Sequence, residues 1–225
     1  MQDEAMRLFG YWQQTLQNFG VGQIASEQSF TDLVTAYSTS DRYYHTLKHI
    51  AHVLSTIDTL QAYAQDLPAV QLAAWFHDVV YHPQTQDNEE RSADYAYELL
   101  SNLGIPTNTI DTVTSLILNT KNHQAATDDY DSQVLLDADL AILATNPEDY
   151  REYSRAIRQE YAWFSELEYI TGRRQVLEHF LQQQRIYHTP LMFEVAEQSA
   201  RSNLQTEIQT LTSVNSNNTE NKLTI

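Results

Sequence analysis

Leu72-Ala73-Ala74-Trp75-Phe76-His77-Asp78-Val79-Val80-Tyr81 is the most informative run of the chain. From Leu72 to Phe76 it is apolar without interruption, leaving no polar face. A helix of that kind is surrounded on all sides by other elements. Taken alone, residues 75–81 also fit a buried strand, because a short apolar run has no diagnostic period. The flanks favour a helix: Pro68 stands where a first helical turn accepts proline, and Pro83 is expected to stop the element. The run closes on two adjacent ionisable residues, His77 and Asp78. Burying such a pair is costly unless each group is paired or ligated. A core His–Asp hydrogen bond would satisfy it, and so would a metal ion, which takes a neutral imidazole and an ionised carboxylate.

Helical signals continue in both directions. Leu8, Tyr11, Trp12, Leu16 and Phe19 recur at helical spacing over residues 6–19, and Gly20 closes that helix. Ser29 is expected to cap a short helix through Leu33 and Tyr37, and a further helix is expected over residues 45–65. Asp87 with Glu90 three residues on reads as a capping box for a helix ending near Gly104. Further helices are expected over residues 107–119, 134–143, 174–184 and 191–211, and from Pro147 through Trp163. No strand pattern survives. The expected fold is all-α: one domain over residues 1–211, its site core about 43–143, followed by a flexible polar tail over 212–225.

Composition narrows the possible functions. With five glycines and five prolines in 225 residues, long helices are favoured over many short turns. The chain has no cysteine, so a metal site would rest on imidazole and carboxylate ligands. No apolar run is long enough to span a bilayer, and the first residues have neither a basic nor an apolar character, so a cytoplasmic protein is expected. Thirty acidic and 13 basic side chains give a formal charge of −17. Such a surface repels duplex nucleic acid and anionic membrane. A small phosphorylated molecule remains compatible, because a local cation reverses the potential inside one pocket.

Two further segments carry candidate ligands. In Tyr44-His45-Thr46-Leu47-Lys48-His49-Ile50-Ala51-His52, a helix would bring His45, His49 and His52 to roughly one face. That face is either a metal grip or a row of solvated imidazoles. In Leu135-Leu136-Asp137-Ala138-Asp139-Leu140, two carboxylates interrupt an apolar run. Helical positions two apart diverge by about 200°, so only one of Asp137 and Asp139 can face a given ion.

The ordered set of motifs resembles the HD superfamily of metal-dependent phosphohydrolases, and in particular a bacterial subfamily known only as predicted HD phosphohydrolases. The resemblance rests on Tyr44-His45 with His49-Ile50, His77-Asp78 with Tyr81, Asn88-Glu89 with Ser92-Ala93, Thr120-Lys121 with His123, and Asp137-Ala138-Asp139-Leu140. Later matches are Ile157-Arg158 with Glu160-Tyr161, Gly172-Arg173, and Ala200-Arg201 with Asn203-Leu204. It implies a divalent ion (Mn, Fe, Co, Ni, Zn or Mg) held by His49, His77, Asp78 and either Asp137 or Asp139, with Asp139 favoured by the family's placement of this ligand. His52 departs from the pattern, since related sequences often carry an arginine there.

The implied reaction is attack of a metal-activated water on a small phosphorylated substrate. Asp78 would orient the water, His45 or His123 would supply a proton, and Lys121 with His123 would meet the phosphate. Arg42, Lys48, Arg91, Arg158 and Arg173 also lie in or beside the motifs, each either lining the pocket or pairing with one of the many carboxylates. His82, Asp87, Asn88 and Glu89 are candidates for the pocket rim. Two alternatives stay open: a non-catalytic HD-fold module that binds a nucleotide or a partner through a structural metal, and a two-metal site in which His45, His82 or His123 holds a second ion.

Overall fold

The computed structural model describes residues 2–220, with side chains for residues 5–213. Among the described residues there are eleven α-helices and no strand, as the periodicity led us to expect. They fall into two compact units, Met1–Asp139 and Leu140–Ile225. No helix among the described residues is long and apolar enough to cross a membrane.

The first unit contains α1 (Gln2–Gln17), α2 (Gln23–Ala36), α3 (Leu47–Leu60), α4 (Leu67–Phe76), α5 (Asn88–Asn102), α6 (Thr107–Thr120) and α7 (Tyr130–Asp139). Helix α4 is its axis, packed against α1, α3, α5, α6 and α7. Leu72, Ala73, Ala74, Trp75 and Phe76 are fully buried, which explains why this helix lacks a polar face. The Asp66 side chain caps its start by accepting from the Ala69 amide at 3.1 Å, with Pro68 in the first turn. Trp12 packs edge-on against Trp75 at 5.5 Å between centroids and donates its indole N–H to Ser29 Oγ at 3.0 Å.

Several local expectations are corrected. Ser29 lies inside α2, whose N-cap is Gly22, and its hydroxyl serves Trp12. Helix α3 starts at Leu47 behind an extended Thr46, so His45 precedes it, and a 3₁₀ turn at Gln61–Tyr63 follows Leu60. Helix α4 ends at Phe76, well before Pro83. Asp87 is the N-cap of α5 but makes no side-chain cap bond, and the Glu90 side chain, which would complete the box, turns instead to Lys121. Helix α7 begins at Tyr130, and the apolar residues after Asp139 form a 3₁₀ turn, Leu140–Ala144.

The second unit contains that turn and α8 (Pro147–Glu160), α9 (Glu166–Gln182), α10 (Pro190–Val195) and α11 (Glu197–Glu220). A capping box does form here, between Ser165 and Glu168 at the start of α9. Tyr150, Ile157, Tyr169, Ile170, Leu177, Tyr187 and Leu204 are among its buried apolar residues. Within this core, Arg173 donates to both carboxylate oxygens of Glu207, at 2.9 and 3.1 Å. Helix α11 continues beyond Leu211 to Glu220, so the first part of the stretch expected to fray is helical, and residues 221–225 lie outside the described residues. Extending an established helix costs little even through weak helix formers such as Asn and Ser.

Candidate metal centre

Three elements of the first unit deliver the ligand candidates to one point. His49 lies in the first turn of α3, on the face that also buries Ile50 and Val53. His77 is the C-cap of α4, Asp78 follows it in the turn, and Asp139 is the last residue of α7. One donor atom from each lies within 4.8 Å of all the others.

Individual separations are tighter. His49 Nε2 is 3.1 Å from His77 Nε2, 3.4 Å from Asp78 Oδ2 and 3.3 Å from Asp139 Oδ1. His77 Nε2 is 3.1 Å from Asp78 Oδ2 and 3.5 Å from Asp139 Oδ1. Neighbouring ligand atoms around a first-row divalent ion bonded at about 2.0–2.2 Å sit roughly 2.9–3.5 Å apart, so the set has the right span. The imidazoles form a dry floor, with side chains 1% and 2% exposed, while Asp78 and Asp139 keep 20% and 15% of theirs open.

The local electrostatics call for a positive charge. Two imidazole nitrogens and two carboxylate oxygens point at each other, and four acceptors in contact repel unless a proton or a cation lies among them. Burial, the largest influence on His49 and His77, favours their neutral forms. It is outweighed by Asp78 and Asp139, which raise both imidazoles above the ordinary histidine range, His77 the further. Burial likewise pushes the two carboxyls upward, yet the surrounding histidines hold both well below the usual carboxylate range.

Orientation of the rings is settled differently for the two histidines. His77 Nδ1 donates to the Ala74 carbonyl at 3.0 Å, which leaves the Nε2 lone pair facing the centre. His49 Nδ1 is buried without a hydrogen-bond partner, so packing against Tyr44 and His77 holds its ring. A two-imidazole, two-carboxylate set suits Mn, Fe, Co, Ni or Zn, and its donor chemistry fits the expected divalent cofactor.

Other candidates fall into three groups. Two flank the centre. His45 Nε2 lies 3.9 Å from Asp78 Oδ2, its ring stacked on Tyr81 at 4.0 Å. His123 Nε2 lies 3.2 Å from Asp139 Oδ2, on a backbone with φ of 48°. A left-handed conformation is uncommon for a side-chain-bearing residue and recurs at functional sites. Asp137 is fully buried and lies outside the converging group, so of the two carboxylates it is Asp139 that faces the other ligand candidates. His82 is exposed, its Nδ1 accepting from the Gln84 amide at 3.3 Å, and it is not part of the group.

Most of the basic residues serve the scaffold. Lys121, expected on a phosphate, is bound here to Glu90 and to the Gln86 carbonyl at 2.7 Å. Arg158 pairs with Glu166, and Arg173 with Glu207. Arg42 spends its guanidinium on backbone carbonyls. Lys48 and Arg91 are exposed. The Asn88 and Ser92 motif on α5 is also a clamp: Asn88 exchanges two hydrogen bonds with the His82 backbone, both 3.0 Å, and Ser92 Oγ bonds Val80 N and O at 3.1 and 3.2 Å. Sequence reasoning missed these anchoring roles. The spacing of Asn88 and Ser92, one turn apart on one helix face, was the only signal.

Scanned against family models, curated proteins and solved structures, the chain matches none.

Proposed function

We propose that this protein is a metal-dependent hydrolase of the HD type, acting at the His49–His77–Asp78–Asp139 centre on a small phosphorylated molecule. The observation that carries the reading is the convergence of four acceptor side chains on one point, with both carboxylates partly exposed. A divalent ion bound there would supply Lewis acidity, polarising a phosphoryl oxygen and making water a usable nucleophile near neutral pH. His49, His77, Asp78 and Asp139 would hold it.

The protein's own groups divide the remaining work. Asp139 presents a second carboxylate oxygen, Oδ2, to His123, where a carboxylate can orient a water by accepting its hydrogen, whereas the Asp78 oxygen nearest His45 is the one that also meets His49 and His77. His123 holds a proton at Nε2 against Asp139 and is placed to pass it to a departing oxygen. His45, steadied by Tyr81, is the corresponding group beside Asp78. The strained backbone at His123 supports a working role for this side chain over a scaffolding one.

The test strips the full chain with chelator, reloads it with Mn²⁺, and assays a panel of phosphomonoesters, phosphodiesters and nucleotides. Expected is metal-dependent release of phosphate or nucleotide that vanishes in a His77→Ala/Asp78→Ala variant. Tight metal uptake with no turnover on any member would favour a binding module, and turnover by the double variant would refute the site.

A further inference from the structure

Arg42 is 8% exposed and forms no ion pair among the described residues. Its guanidinium instead gathers three backbone carbonyls. Nη1 donates to His45 O at 2.9 Å and to Asp78 O at 2.8 Å, and Nη2 donates to Val79 O at 2.8 Å. Two of these acceptors belong to the turn that carries Asp78, and the third to the segment that carries His45. The charge sits 5.0 Å from the centroid of the Tyr37 ring and 5.7 Å from that of Tyr81. Tyr37 in turn donates its hydroxyl to Trp75 O at 2.9 Å, and Tyr81 stacks on His45.

The segment after α4 has no helix or strand to fix its backbone. Side chains from elsewhere do so: Ser92 holds Val80, Asn88 holds His82, and Arg42 holds Asp78 and Val79. Of these three, Arg42 is the one that also grips the His45 segment. Resting on the reading of the centre given above, we infer that Arg42 is its positioning residue. The guanidinium sets the spacing between the Asp78 turn and the His45 segment without touching ion or substrate. A planar fork presents its donors in fixed, widely spread directions, whereas the three N–H donors of a lysine ammonium radiate from one small nitrogen and cannot reproduce that spread.

The probe is Mn²⁺ alone, titrated calorimetrically into the full-length wild type, Arg42→Lys and a control on α8 of the second unit, Arg155→Lys, at a temperature where circular dichroism shows each to be folded. Arg42→Lys is chosen because Arg42→Ala risks unfolding. Expected is a 10- to 100-fold loss of Mn²⁺ affinity in folded Arg42→Lys, the range for residues that orient ligands from behind, and no change in Arg155→Lys. An arginine that merely stabilised the fold would leave the affinity of folded protein unmoved. Amide exchange of the metal-free proteins gives a second readout, faster in residues 43–47 and 77–82 of Arg42→Lys and unchanged elsewhere. Wild-type affinity in Arg42→Lys, or exchange that rises evenly through the chain, would overturn the inference while leaving the centre intact. A wild type that takes up no Mn²⁺ would overturn the reading of the centre and Arg42's role with it.

Discussion

Asp137 and Asp139 are chemically identical and two residues apart, yet they meet different surroundings: one fully buried beyond the converging group, the other held by His49, His77 and His123. Their substitutions should separate accordingly. Asp139→Asn removes a charge from the proposed ligand set and is expected to weaken Mn²⁺ binding by at least about 100-fold, the upper end of what loss of a supporting residue costs. Asp137→Asn should lower thermal stability and leave the affinity near wild type; calorimetry on both decides. His123→Ala should keep the ion and lose about 10²-fold or more in kcat, the scale of one proton-transfer group. The four converging residues were legible as candidates in the sequence, because His and Asp in an apolar run stand out against their neighbours, although the choice of Asp139 over Asp137 came from the family resemblance. The roles of Arg42 and Lys121 were not. A sequence shows a cation near a motif but not whether its partners will be a substrate, a carboxylate or three carbonyls.

At the scale of the helices, stability rests on how α4 is enclosed and how its start is capped. Trp75→Ala should cost about 3–5 kcal/mol, combining lost apolar burial with the cavity left behind. Asp66→Ala should cost about 1 kcal/mol, since the Ala69 amide loses its acceptor. Urea denaturation with an unchanged slope would confirm both as stability effects. The sequence placed α4 well because burial on all sides and Pro68 gave concordant signals. It misplaced the start of α3, since Thr46 adopts an extended backbone that periodicity does not register, leaving His45 in the preceding loop. It read a capping box at Asp87 and Glu90, whereas the box that forms is Ser165 and Glu168. Lys121 offers Glu90 a charged partner, and that competes successfully with the backbone amide.

For the molecule as a whole, helical class could be read from composition and spacing, but the boundary at Asp139–Leu140 could not. It falls in an apolar stretch broken only by Asp137 and Asp139, with none of the Gly, Pro or extended polar enrichment that marks a linker. The second unit carries its own charged core, where Arg173, Tyr150 and Ser154 all bond Glu207. Burial, the largest influence, pushes the Glu207 carboxyl up, but Arg173 and the two hydroxyls together hold it below the ordinary glutamate value of 4.5. A depressed carboxylate contributes stability that is present above the unfolded value. That contribution is lost as pH falls from about 4.5 toward the folded value. Glu207→Gln should therefore flatten the acid limb of the stability curve. Glu207→Ala, which strands Arg173, should cost about 3–5 kcal/mol at neutral pH. Thermal melts of both variants between pH 3 and 7 would show whether the slope tracks this residue.

Anomalous diffraction from a crystal grown with Mn²⁺ tests the metal centre most directly. A single strong peak is predicted within bonding distance, about 2.0–2.3 Å, of His49 Nε2, His77 Nε2 and the carboxylates of Asp78 and Asp139. No peak at that point in crystals soaked with excess Mn²⁺, or a peak that leaves either histidine uncoordinated, would contradict it.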